Sequence, residues 1–254
     1  MEEKELPFEY RTAEGEVKSF DISHLKREVF GTTSVMPGSG EMLALKLVLQ
    51  SLDNFVLVAS GVASVMARSG LGVPVVCTEN PAGFAQGISN ALKDKAKVVV
   101  FADEMATVSC LPDLAGMKEE MLYICYRNSP SFRHLAGMMR GYAATASVAF
   151  YEDFMAKMKK AFSFRNFSFI EVLAPNPSWG YEPSNTVEIA RLATECLLWP
   201  VYGTENGVLS VTKRPDKEEP VERFFSALKM KTPEGLQEEV SRAWKLMQKA
   251  KAEV

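Results

Sequence analysis

The 254-residue sequence has two histidines and four cysteines. His24 and His134 have no convincing partner in the sequence, so each reads as a surface or packing residue. No Ser/His/Asp arrangement, Walker loop or zinc spacing is present. Cys77, Cys110, Cys125 and Cys196 are widely scattered, with no C-x-x-C pair, and read as buried thiols in a reducing compartment. A basic excess is missing too. The net charge is −3, which argues against a nucleic-acid binder. The longest weakly apolar run, Val56 to Ala67, is broken by Ser60, Gly61 and Ser64 and is too short to span a bilayer. The opening "MEEKELPFEYRTAEGE" is acidic and lacks an apolar h-region, so a secretory signal is not expected and a cytoplasmic location is. There is no internal repeat and no low-complexity linker. What is present is 47% apolar and 24% charged residues, the composition of a globular chain able to bury one large core.

Short, dense apolar runs set the architecture. "FVLVAS" (Phe55 to Ser60), "VPVVC" (Val73 to Cys77), "AKVVVFA" (Ala96 to Ala102), "MLYICY" (Met121 to Tyr126) and "SFIEVLA" (Ser168 to Ala174) read as buried strands. A helix from Gly40 to Leu52 precedes them, and helix-length segments lie between most of them, including Pro81 to Leu92. That alternation predicts an α/β fold: a parallel sheet with helices on both faces. "PVYGTENGVLSVT" predicts a hairpin turning at Glu205-Asn206-Gly207. The end of the chain reads as a helix with Thr232 as N-cap, Pro233 in its first turn, and Leu236, Val240, Trp244 and Met247 on one face. The expected partition is an N-terminal arm (1–33), a main α/β domain (34–200) and a C-terminal extension packed on it (201–254).

Parallel sheets bind ligands at the carboxyl ends of their strands, which singles out the loops after Ala59, Cys77, Ala102, Tyr126 and Ala174. Asp103 after one strand and Asn128 after the next could hold a divalent cation beside a phosphate; both residue types also cap turns and helices routinely. Glu41, after Gly38 and Gly40, could face a ligand, or could answer the helix dipole. Glu79-Asn80 reads as turn and N-cap chemistry. "SPSFRHLAGMMRGYAA", with Arg133, His134 and Arg140, could grip an anion, but a solvent-exposed basic helix face accounts for it better.

Together these segments resemble the β-type, thiamine-diphosphate-binding subunits of 2-oxoacid:ferredoxin oxidoreductases, the pyruvate enzyme being the best-known kind. "LAPNPSWGYEPSNTVEIARLATECLLWPVYGTENG" (Leu173 to Gly207) is similar to that family's late segment. "MPGSGEMLALKLVLQSL" resembles its Cys-x-Gly-Cys-Gly-Glu helix start, "LVASGVASV" its Thr-Gly-Cys strand end, and "TENPAGFAQGISNAL" its Glu-Asp/Asn-x-Ala helix. "VVVFADEMATVSCLPDLAGMKEEMLYICYRNSPSF" resembles its cofactor segment, and "KTPEGLQEEVSRAWKLM" its tail. The likeness is colinear from about Val35 to the C-terminus.

The resemblance implies a thiamine-diphosphate-type fold, α/γ-type partner subunits and a cofactor site at a subunit interface. The departures from the pattern are as informative. The family's 4Fe-4S cluster is held by four thiolates; Met36, Ser39, Val62 and Asn176 stand at those positions, so no cluster is expected in this chain. Asp103 and Asn128 keep the two magnesium positions of the family's Gly-Asp-Gly…Asn motif. Ala102 and Glu104 replace the glycines, and Arg127 replaces the Asp before the Asn. The implied ligand-binding set is thus Asp103, Asn128, Glu41, Gly61 and Arg127. Glu104 is expected to repel a diphosphate, with Arg127 offsetting it in part.

Three functional expectations follow. One is a cluster-free β-like subunit with a structural or regulatory role, beside a paralogous β subunit that does the chemistry. The second is a subunit that keeps thiamine diphosphate and magnesium and relies on a partner's electron route. The third is a cleft recruited for another ligand.

Overall fold

The structure is a computed structural model that describes residues 8–11, 17–20, 36–67, 71–93, 95–130, 132, 134–215 and 217–250. Most of the expected N-terminal arm, His24 and Arg133 lie outside the described residues. Two short strands of the arm, β1 (Phe8–Arg11) and β2 (Val17–Phe20), pair antiparallel.

The apolar runs form a sheet of eight strands. Six of them are mutually parallel: β3 (Phe55–Ala59), β4 (Val75–Cys77), β5 (Lys97–Asp103), β6 (Met121–Arg127), β7 (Tyr142–Ser147) and β8 (Ser168–Leu173). The hairpin β9 (Val201–Glu205) and β10 (Val208–Lys213) adds antiparallel beside β7, giving the order β10-β9-β7-β8-β6-β5-β3-β4. Asn206 (φ 52°) and Gly207 (φ 83°) both take the left-handed conformation the two-residue turn requires.

Because strand side chains alternate, the sheet has two cores. Leu57, Phe101, Ile124, Tyr126 and Val172 pack beneath α1 (Gly40–Ser51), α6 (Tyr151–Ser163), α7 (Thr186–Glu195) and α8 (Val221–Ala227). Val58, Val100, Tyr123 and Phe169 pack on the other face with α3 (Pro81–Leu92) and α5 (Leu111–Gly116). A sheet covered on both faces is why its strands read as unbroken apolar runs. Wholly buried Trp199 donates its indole N–H to the Ala146 carbonyl at 2.7 Å and so fastens the lead-in of the hairpin onto β7.

Three expectations are corrected. The "SPSFRHLAGMMRGYAA" segment is not a basic helix: Ala136–Met138 form one 3₁₀ turn, and "YAATAS" is β7, inside the sheet. Its small residues are all buried, in a strand held between β8 and β9. The last helix, α9 (Leu236–Ala250), starts three residues after Pro233, so Thr232 does not cap it; Val240 and Trp244 do face the core. Cys77 is exposed, at the end of the edge strand β4, whereas Cys110, Cys125 and Cys196 are buried.

Candidate functional site

The parallel register sets Ala59 beside Phe101, Asp103 beside Tyr126, and Arg127 beside Leu173. The carboxyl ends of β3, β5, β6 and β8 therefore meet at one edge, joined by the first turns of α1 and α2 (Val62–Ala67). Gly61 sits at the centre with φ +63°. A Cβ there would lie 1.7 Å from Asp103 Oδ2 and 2.9 Å from the Tyr126 hydroxyl, so only glycine fits. Tyr126 Oη donates to the Ser60 carbonyl (3.1 Å) and accepts from the Ala63 N–H (3.3 Å), fixing the β3 end to β6.

Asp103 caps α4 (Glu104–Ser109), its Oδ1 accepting from the Ala106 N–H at 2.8 Å. Asn80 caps α3 in the same way, accepting from the Gly83 N–H at 3.1 Å. The Asn128 carbonyl accepts from Trp179 Nε1 at 2.8 Å, which ties the β6 loop to the segment after β8. Neither Asp103 Oδ2 nor the Asn128 side-chain amide has a hydrogen bond to the described residues.

The turn before α1 is closed by the protein itself. Ser39 caps the helix, accepting from the Met42 N–H at 3.3 Å. The Gly40 N–H donates to the Pro175 carbonyl at 2.8 Å, with the Ala174 carbonyl carbon 2.5 Å from where a Cβ would stand. Thr186 donates its hydroxyl to the Gly38 carbonyl. Asn176 Nδ2 donates to Glu41 Oε1 at 2.7 Å, and its Oδ1 accepts from the Ser178 N–H. Glu41 is fully buried, and its Oε2 has no hydrogen-bond partner among the described residues. Two of the four positions expected to have held thiolates, Ser39 and Asn176, thus serve as hydrogen-bonding caps. Val62 is half-buried, and Met36 is exposed. Among the described residues no three His, Cys, Asp or Glu side chains group closely enough to hold a metal ion. These residues do not fit a cluster.

The Glu104 carboxylate is taken up by the two residues that flank Asn128. Its Oε1 pairs with Arg127 Nη2 at 2.9 Å and its Oε2 accepts from the Ser129 hydroxyl at 2.5 Å. Arg127, expected among the ligand-binding residues, is fully buried; its Nη1 pairs with Glu171 Oε1 at 2.7 Å. Glu171 Oε2 accepts from the backbone N–H groups of Leu135 (2.7 Å) and Ala136 (3.1 Å). Glu171 was hidden inside "SFIEVLA". The one available signal was an acidic residue in an apolar strand, with an arginine at the end of a neighbouring strand. His134 packs on the Trp199 ring with centroids 4.6 Å apart, and burial, with Arg127 nearby, pushes its pKa down to about 4.

Burial pushes the Glu171 carboxyl up to about 7, against the opposing pull of Arg127 and the two backbone donors. A carboxyl whose pKa is raised on folding contributes stability that is complete below its unfolded pKa and lost as pH rises through its folded one. Relative to Glu171→Gln, the wild-type protein is expected to lose stability between pH 5 and pH 8, by about 3 kcal/mol at most. Urea unfolding of both proteins across that range checks it; a difference that does not change with pH, or grows with it, refutes it.

No family model matches the chain. Pyruvate synthase subunit PorB of Methanocaldococcus jannaschii is 31% identical, covering 76% of this chain and 85% of that protein. PorB of Methanothermobacter marburgensis is 32% identical over 61% of this chain and 69% of its own length. Ketoisovalerate oxidoreductase subunit VorB of Pyrococcus abyssi is 38% identical over 42% of this chain and 38% of its own. A solved 2-oxoglutarate:ferredoxin oxidoreductase from Magnetococcus marinus superimposes with a TM-score of 0.50 at 14% identity, covering 84% of this chain and 93% of that one, and shares the fold. The fold is thus of the thiamine-diphosphate type, a mostly parallel sheet between two helical layers. The chain belongs to the β subunits of the 2-oxoacid:ferredoxin oxidoreductase family.

Proposed function

We propose that this chain is a β-type subunit that holds no 4Fe-4S cluster of its own, contributes the magnesium and diphosphate end of a thiamine diphosphate site, and relies on a partner subunit for the electron route. The observation that carries the reading is the position of Glu104. Its carboxylate is taken up by Arg127 and Ser129, while Asp103 Oδ2 and the Asn128 amide, on neighbouring strand ends, stay unengaged by the described residues. Oxygen donors of this kind suit magnesium, so the residues present fit the group. Asp103 and Asn128 would hold the metal, and Gly61 would let the chain approach closely. When bound, thiamine diphosphate supplies the carbanion chemistry by which a 2-oxoacid is cleaved. This chain's part is to orient the diphosphate end, with Asp103 and Asn128 turned toward the metal.

Several exposed apolar side chains support a subunit interface at the same edge. Phe84, Met105 and Tyr151 stand on the first turns of the helices that follow β4, β5 and β7, and Met36 stands before α1. An apolar rim around a polar centre is what a protein partner covers, and α/γ-type subunits of the same complex are the fitting occupants.

Iron and acid-labile sulfide analysis of the chain, purified anaerobically, is expected to find no stoichiometric cluster; a 4Fe-4S signal from this chain would sink that part of the reading. Calorimetry on the assembled complex is expected to show magnesium-dependent binding of thiamine diphosphate that Asp103→Ala abolishes. A second reading, a purely structural or regulatory subunit beside a paralogous β subunit, is favoured by the engagement of Asp103 Oδ1 in the α4 cap. It would prevail if that calorimetry shows no binding.

A further inference from the structure

We infer that Arg127 is a positioning residue for the diphosphate end of this site, acting through Glu104; the inference rests on the cofactor reading above. Here a glutamate follows Asp103 directly, and an uncompensated carboxylate beside a diphosphate and its metal would be repelled by one and compete for the other.

The geometry removes the conflict. Strand alternation puts Asp103 on the face of Phe101 and Tyr126, with its Oδ2 against Gly61. Ala102 and Cys125 face the opposite core, and Glu104 turns to meet Arg127 and Ser129, which flank Asn128. The Arg127 guanidinium is itself held from the far side by Glu171, which is anchored on the backbone N–H groups of Leu135 and Ala136. The guanidinium is therefore gripped between two carboxylates with no solvent access, and Glu104, one fifth of whose side chain is exposed, is the member that could swing toward Asp103. The arginine thus pairs with the carboxylate that Glu104 introduces next to Asp103.

The planar fork of arginine can engage two carboxylates at once, whereas a lysine ammonium on a shorter reach cannot hold both in this geometry. In the full chain assembled with its partner subunits, Arg127→Lys is expected to weaken the binding of thiamine diphosphate with Mn²⁺ at least about tenfold. Calorimetry and Mn²⁺ electron paramagnetic resonance read this, neither of which depends on turnover. The companion variant Glu104→Gln alone is expected to bind as the wild type or more tightly, and Arg127→Lys with Glu104→Gln to recover to within about twofold of it. A structural role alone would not give that rescue, because the glutamine does not restore the lost ion pair. Binding by Arg127→Lys at wild-type strength, or a weakened single variant that Glu104→Gln fails to rescue, overturns the inference while leaving the cofactor reading standing. If Arg127→Lys does not fold, Glu104→Asp takes its place: it shortens the carboxylate so that it cannot reach Arg127 and Ser129 together, and must weaken metal-cofactor binding where Glu104→Gln does not. No binding by the wild-type complex itself defeats the cofactor reading, and the inference with it.

Discussion

Replacing Arg127 with alanine is expected to destabilise the fold by about 3–5 kcal/mol, the range seen when one partner of a buried ion pair is removed. The reason is what the substitution leaves behind. Glu171 is fully buried and would keep its two backbone donors but lose its counter-ion, and Glu104 would keep only Ser129. A cavity the size of a guanidinium would add to the penalty. Glu104→Gln is the control: with a partly exposed side chain and Arg127 still paired to Glu171, it is expected to cost less than about 1 kcal/mol. Equilibrium urea unfolding of the three proteins at pH 7 measures both. Near-equal effects of the two substitutions would mean that the buried pair with Glu171 does not stabilise this part of the sheet. Because Glu171 is less ionised at lower pH, the Arg127→Ala penalty is also expected to shrink when the series is repeated at pH 5.

Gly61→Ala is expected to destabilise the protein by about 2–4 kcal/mol and to disturb the candidate site first. Two effects combine. The backbone at Gly61 has φ +63°, which an alanine adopts only with strain. The added Cβ would meet Asp103 Oδ2 at 1.7 Å and Tyr126 Oη at 2.9 Å. The Asp103 side chain would have to move, giving up its cap on Ala106, itself worth about 1 kcal/mol. Amide hydrogen exchange should therefore show early loss of protection in α4 and at the start of α2, with β6 unchanged. Uniform loss across the sheet, or none at the helix starts, would contradict the close approach of β3 and β5 at this edge. Metal-dependent cofactor binding is expected to fall along with the α4 cap.

Much of the architecture was legible because burial on both faces leaves a simple record. β3, β5, β6 and β8 read as continuous apolar runs, and Pro81–Leu92 as a helix, because Asn80, Pro81 and the apolar spacing each specify it locally. The hairpin was legible from two short strand-like runs meeting at Glu205-Asn206-Gly207. β7 was not, since "YAATAS" has few large or branched side chains, and its place between β8 and β9 is dictated by neighbours distant in sequence. The start of α9 was misread for a related reason: a Thr-Pro pair resembles a cap, but the chain makes a further turn before the helix begins. In the candidate site, Asp103, Asn128, Gly61 and Glu41 were singled out because strand ends carry ligands and because of the family resemblance. Glu171 was missed because its partner belongs to a neighbouring strand.

The sequence by itself determined the strand–helix alternation, the caps at Asn80 and Asp103, and the absence of thiolates at Met36, Ser39, Val62 and Asn176. Each of these depends on residue type and on short-range spacing. Only the tertiary structure decided where the charges go. Glu104 lies next to Asp103 in the chain, and sequence proximity alone made it an obstacle. The parallel register of β5, β6 and β8 brings Arg127 and Glu171 alongside, and a buried guanidinium then pairs with the Glu104 carboxylate. Asn176, unremarkable as a residue after a strand, becomes the partner of buried Glu41 in the same way. Electrostatic roles of this kind depend on distance and on solvent access, and neither is set until the strands have paired.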